Sequence, residues 1–230
     1  MLELRQFPLF RGVNLSPFCL KVEAYLRLTG LPFRIVTGQS FRAPKGKLPV
    51  LVDDGLVISD SGDIIAYLER TRGAPLDGGL TPEQAALGHA VIRMLDESLY
   101  FAIVYDRWLV DANWRVLMAE LLRKAPLPIR WIVPRLIRRK IRRDLMGQGY
   151  GRHSWEQACA RGAADIAAVA ALLGEKAFLL RDRPSVADVA LYASLTGLMS
   201  AGFGGPLVEA VGGRPNLLAF LDRMDALIRR

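Results

Sequence analysis

Residues 16–30 read SPFCLKVEAYLRLTG, and this stretch decides the fold. Ser16 is a good N-cap and Pro17 is tolerated at the first helical position, so a helix opens here. Cys19, Val22, Tyr25, Leu26 and Leu28 supply an apolar face at helical spacing. Gly30 sits where a helix ends in a left-handed residue, and Pro32 follows it. Upstream, beyond a polar turn over residues 11–15, Glu3 to Phe7 reads as a short strand. Downstream, Phe33 to Val36 reads as a second. Strand, helix and strand in this order form a crossover unit, which places the two strands parallel.

Working outward, residues 37–47 form a polar loop rich in Gly, Pro and Lys, and Val50 to Val52 is a third strand. Asp53-Asp54-Gly55 is a hairpin signal, with Leu56 to Ile58 as the returning strand. Asp60-Ser61 then caps a helix with Ile64, Ile65 and Leu68 on its apolar face. The order β-α-β-β-β-α describes an α/β, thioredoxin-like domain over residues 1–75. Residues 72–81, RGAPLDGGLT, read as a linker. Beyond it no strand pattern appears. Helices are predicted over 82–111, 113–124, 134–146, 155–173, 186–200 and 215–229, so residues 82–230 form an all-α domain.

Bulk properties narrow the class. About half the residues are hydrophobic (51%), which suits a packed core and argues against disorder. The two cysteines, Cys19 and Cys159, match no disulfide framework or metal spacing, so no metal is expected. The N-terminus lacks the pattern of a signal peptide, and no apolar run approaches the roughly 20 residues of a membrane span. A cytoplasmic protein is expected. The net charge of +8 is local: residues 115–145 hold ten Lys or Arg against Glu120 and Asp144, and the rest is neutral overall.

Three features carry chemistry. A helix N-terminus concentrates partial positive charge, so a thiolate beside Ser16 would be stabilised, and the hydroxyl could donate to it. The simpler reading of Ser16 is a cap alone. Lys47-Leu48-Pro49 precedes a strand, where a proline is found either cis or trans. A cis bond would turn the Leu48 backbone outward to meet an extended peptide. Asp60-Ser61 opens a helix, a natural carboxylate site beside an acid that could pair with an ammonium group, or a plain N-cap.

In their order and spacing these features resemble the glutathione site of glutathione transferases. The resemblance implies that the Leu48 backbone, next to a cis Pro49, pairs with the cysteinyl part of glutathione. It implies that Asp60 and Ser61 hold the γ-glutamyl ammonium and carboxylate, and that Lys47, or Lys45, meets the glycyl carboxylate. Ser185-Val186-Ala187-Asp188 resembles the buried capping motif of the family's helical domain. Residues 16–23, 44–49 and 147–154 (GQGYGRHS) narrow the likeness to the failed-axon-connections and metaxin-like branch. Cysteine-type members carry Cys where this chain has Ser16. Ser16 is therefore the expected thiol-activating group and Asn14 a second candidate donor, while Cys19 is expected to face the core. The implied activity is conjugation of glutathione, as co-substrate, to an apolar electrophile by a homodimer. The alternatives are a noncatalytic metaxin-like binding or membrane-adaptor module, and a glutathione-dependent thiol reductase using Cys19.

Pro134 to Met146 reads as an amphipathic helix with Val133, Ile137, Ile141 and Leu145, and Leu136 beside them, on one side and arginines on the other. The simplest reading is a packed helix with a solvated basic face. Peripheral contact with an anionic membrane, or attraction of anionic substrates, are the functional readings. No nucleic-acid motif accompanies the patch.

Overall fold

The computed structural model describes residues 1–73, 75–123, 126–199 and 202–229. Ala74 of the predicted linker, and Lys124 and Ser200 at the ends of two predicted helices, lie outside them. The N-terminal half is a four-stranded mixed sheet carrying helices, the thioredoxin-like arrangement. Its strands are β1 (Leu2–Gln6), β2 (Phe33–Thr37), β3 (Val50–Asp53) and β4 (Leu56–Ser59), in the spatial order β2-β1-β3-β4. β1 and β2 are parallel through the crossover helix α1 (Pro17–Leu28), and β3 runs antiparallel to both β1 and β4. The β3–β4 turn has Asp54 at φ 47° and Gly55 at φ 90°. Two successive positive values match the tight hairpin turn that follows the twist of the strands. Helix α2 (Ser61–Thr71) closes the unit.

The C-terminal half is helical: α3 (Pro82–Met94), α4 (Tyr100–Leu109), α5 (Asp111–Leu121), α6 (Leu127–Gln148), α7 (Trp155–Leu173), α8 (Val186–Met199), α9 (Pro206–Gly212) and α10 (Pro215–Ile228). The predicted helices differ from the structure in three details. The single helix over 82–111 is α3 and α4 joined by a π-helical stretch, Leu95–Leu99, which buries both leucines and turns Asp96 toward α1. Helix α6 begins at Leu127 and not at Pro134, which lies inside it. Proline there forgoes a hydrogen bond and costs about 3 kcal/mol. Of the expected apolar side, Leu145 is buried and Ile141 packs on the core, Val133 and Ile137 are half-buried, and Leu136 is exposed instead. Helix α9 was not predicted; seven residues are too few to show periodicity, though Leu207 and Val211 are both buried.

One apolar core runs through both halves. Leu4, Tyr25, Leu51 and Ile64 of the sheet unit belong to the same buried cluster as Leu95, Ile166, Leu191 and Phe220. Helix α1 packs chiefly on α8. The predicted linker is clasped from both sides. Glu69 of α2 accepts the N–H groups of Leu76 (2.7 Å) and Asp77 (3.1 Å), and Asp77 accepts the Val186 N–H at 2.8 Å. Arg181 donates to the carbonyls of Gly78 and Leu76.

Candidate active site

Strand register gathers the sequence-predicted positions at one edge of the sheet. Arg5 pairs with Val50, and Val50 with Ser59. The chain leaving β1 toward α1, the Leu48–Pro49 segment entering β3, and Asp60-Ser61 leaving β4 therefore emerge side by side. Strand spacing puts these three chain ends within about 10 Å. The Leu48–Pro49 bond is cis. The end of β2 reaches the same edge, where the Gly38 N–H donates to the Gln6 carbonyl at 2.8 Å. A Cβ on Gly38 would fall 2.9 Å from Leu48 Cδ2, so glycine permits this approach.

The chain between β1 and α1 is tightly built. Phe10 and Val13 exchange backbone hydrogen bonds of 2.8 and 3.0 Å around Arg11 and Gly12, both at positive φ. Buried Asn14 donates through Nδ2 to the Phe7 carbonyl (3.0 Å) and accepts the Ser16 N–H at Oδ1 (3.0 Å). Ser16 is extended, with φ −82° and ψ 113°, and its Oγ accepts the Cys19 N–H at 3.3 Å. A hydroxyl that accepts one bond keeps its proton to donate. Cys19 is fully buried; burial pushes its thiol up to about 11, against opposing hydrogen bonds from Ser16 and the Phe7 backbone. The thiolate is the nucleophile, so this environment does not suit a redox cysteine.

At the second helix start, Asp60 has φ 88° and ψ 132°, a conformation natural to glycine. Its Oδ1 accepts the Gly62 N–H at 2.9 Å, and Ser61 beside it is buried. Lys45 pairs with Asp63 at 2.6 Å, whereas Lys47 is exposed.

One residue escaped the sequence reading. Arg107 of α4 is buried, donating through Nη1 to the Leu15 carbonyl at 2.9 Å and through Nη2 to the Gly197 carbonyl at 2.8 Å. It ties the residue before Ser16 to α8. Burial lowers its pKa to about 10. The preceding Asp106, its pKa raised by burial, accepts from Trp155 Nε1 (2.9 Å) and Asn113 Nδ2 (3.0 Å). The available signal was an Asp-Arg pair inside the apolar run 101–110. The aromatic ring of Phe18, on the first turn of α1, lies 4.7 Å from that of Tyr100 on α4.

Ser185 and Asp188 are both buried. Asp188 Oδ2 accepts the Ser185 N–H (2.9 Å) and hydroxyl (2.6 Å), while Oδ1 accepts the Leu179 N–H (2.7 Å). The 147–154 motif is a tight backbone turn between α6 and α7. Gly149 is left-handed at φ 111°, and a Cβ on Gly151 would lie 2.7 Å from the Met146 nitrogen. Ser154 then caps α7 reciprocally with Gln157. Among the described residues no group of three or more His, Cys, Asp or Glu is placed to hold a metal.

A thioredoxin-like sheet with two helix N-termini at one rim, joined to a helical bundle, defines a two-unit class of α/β-plus-α folds. The family models for the glutathione S-transferase N-terminal domain and C-terminal domain match residues 17–113 and 162–224. Isoprene-epoxide–glutathione S-transferase of Rhodococcus sp. (strain AD45) is 33% identical over 221 residues, covering 92% of each chain. Failed axon connections of Drosophila melanogaster is 33% identical over 224 residues, 92% of this chain and 54% of that one. The β-etherase LigF of Sphingobium sp. strain SYK-6 superposes with a TM-score of 0.70 at 22% identity, over 99% of this chain and 97% of its own. The chain belongs to the glutathione S-transferase family, and it is also similar to metaxin-2 of Homo sapiens, 24% identical over 210 residues, 90% of this chain and 80% of that one.

Proposed function

We propose that the protein conjugates the thiolate of glutathione to a small apolar electrophile. The observation that carries this is the convergence of two helix N-termini, at Ser16 and at Asp60-Ser61, with the Leu48 backbone on one rim about 10 Å across. An extended tripeptide spans about 10 Å. The γ-glutamyl group meets Asp60 and Ser61, the cysteinyl backbone meets Leu48, and the sulfur reaches Ser16. Lys47 takes the glycyl carboxylate, because Lys45 is occupied by Asp63. Asn14 holds the Ser16 backbone in place.

Ser16 donates to the sulfur and the α1 N-terminus favours its charge. One pKa unit is worth about 1.4 kcal/mol, and a hydrogen bond to a charged group about 1.5–3, so Ser16 lowers the bound thiol by one to two units. The name of the Rhodococcus relative makes a small alkyl epoxide the first electrophile to try. The thiolate forms a C–S bond as the strained C–O bond breaks, and the alkoxide takes a proton from water. In this reading the enzyme is a cytoplasmic homodimer with residues 1–75 as the glutathione-binding domain.

Calorimetric titration with glutathione tests the site, with Ser61→Ala beside the wild type. Saturable binding that weakens in Ser61→Ala supports it. Ser16→Ala is expected to raise the bound-thiol pKa by one to two units and slow conjugation at least tenfold; an unchanged pKa and rate would refute the role of Ser16. Kinship with Failed axon connections and metaxin-2 favours a second reading, a noncatalytic binding module. Glutathione binding without turnover of any epoxide would favour it.

A further inference from the structure

The outward surface of α6 combines bulky apolar groups with an excess of positive charge. Leu145 is buried and Ile141 packs on the core, with Val133 and Ile137 half-buried on the same side. The helix is fastened there by Arg138, which donates to the Leu109 carbonyl, pairs with Asp111 at 2.6 Å and lies over the Trp114 ring. The residues left outside are not the polar complement that a solvated helix carries. Leu127 is 69% exposed, Trp131 64%, Ile132 58% and Leu136 60%, all within three turns. Arg130, Arg135, Arg139, Lys140, Arg142 and Arg143 are exposed around and beyond them. Asp144, the one acid in Leu127–Gln148, pairs with Lys140 and lies 3.8 Å from Arg143, which leaves Arg130, Arg135, Arg139 and Arg142 in excess.

We infer that this face docks the protein on an anionic lipid bilayer, with Leu127, Trp131, Ile132 and Leu136 entering the boundary between headgroups and acyl chains. Charge complementarity requires an anionic partner. A second copy offering the same face would bring like charge against like charge. A nucleic acid would answer the arginines but leave the aliphatic side chains in water. A bilayer satisfies both: apolar groups enter the interface, tryptophan sits at headgroup level, and arginines meet phosphates with their stems along the surface. The contact is peripheral, because no helix among the described residues is long and apolar enough to cross a membrane.

The test is flotation of the full chain with phosphatidylcholine vesicles, with and without added phosphatidylglycerol. Binding is expected only with the anionic lipid and is weakened by salt. Each basic residue near the surface is worth about fivefold in partitioning, so Arg139→Glu with Arg143→Glu lowers it more than about tenfold. Trp131→Ala with Ile132→Ser lowers it as well. All four residues are exposed, and unchanged glutathione affinity and circular dichroism verify the variants. Lipids brominated on the acyl chain are expected to quench tryptophan fluorescence, and Trp131→Phe to abolish the quenching. The inference is overturned by equal binding to neutral vesicles, by no binding at low salt, or by charge reversal without effect. Duplex DNA binding without acyl quenching overturns it too, as does a dimer dissolved by the Trp131/Ile132 variant in place of lipid binding.

Discussion

Asp60 is where a residue's conformation and its chemistry pull apart. Its φ of 88° and ψ of 132° belong to glycine, and an aspartate held there costs about 1–3 kcal/mol. Its N-cap bond returns about 1 kcal/mol, and glycine as an N-cap falls only a few tenths short. Asp60→Gly is therefore expected to be as stable as the wild type or more so in urea titration. Its glutathione affinity falls, because the ammonium partner is gone. A loss of about 2 kcal/mol in stability would show that Asp60 is not strained. The cysteines give a prediction of opposite sense. Burial pushes Cys19 up to about 11 and Cys159 up to about 12. An unfolded thiol ionises near pH 8.5, so above it the unfolded chain releases protons that the folded chain keeps. Their contribution is whole below that pH and is lost as pH rises toward 11. Unfolding free energy should decline from about pH 9 to 11, and less steeply in a Cys19→Ala/Cys159→Ala variant. Identical slopes in the two proteins would refute this, as would rapid iodoacetamide labelling of the native wild type at neutral pH.

At the scale of elements, side chains that close a helix end set its limits. Asp188 accepts from the Ser185 N–H and hydroxyl and the Leu179 N–H, in a fully buried setting. Removing it strands donors worth about 1–3 kcal/mol each. Asp188→Ala should lose about 3–5 kcal/mol by chemical denaturation or fail to accumulate folded, whereas Asp188→Asn keeps an acceptor and should lose clearly less. Equal losses would make the site one of packing alone. Such local devices explain what was legible in the sequence. The strands, α1, α2, α7 and the Asp54-Gly55 turn announce themselves through caps, glycines and periodicity within a few residues. The features that were missed depend on distant partners. A π-helical stretch that aims Asp96 at Lys21 has no local signal, and Pro134 mimics a helix start unless the packing of Val133 and Ile137 is known. Candidate site positions were legible for the same reason: each lies at a cap or a strand entrance. Arg107 was not, because an arginine in an apolar helix shows its purpose only when Leu15 and Gly197 stand at either side.

Across the whole molecule, buried polar ties join the two halves beside the common core. Lys21 of α1, itself buried, pairs with Asp96 of the helical half. Tyr25 donates to Glu69 at 2.6 Å, which in turn grips residues 76 and 77. Arg107 bridges from Leu15 to Gly197. Ser16, between Leu15 and α1, is thus positioned by groups of both halves. The molecule should therefore unfold in one step, with calorimetric and van't Hoff enthalpies equal. Lys21→Met leaves Asp96 without its buried partner. Breaking a fully buried pair costs about 3–5 kcal/mol; Asp96 keeps some access to water, so about 2–3 is expected. Adding Asp96→Leu removes the orphaned charge and should restore most of the loss, since an apolar pair can replace a buried ionic one. Additive losses in the double variant would mean that the two residues act separately. Two resolved transitions in the wild type would mean that the glutathione rim can form without the helical half, and would remove the argument that Arg107 places Ser16.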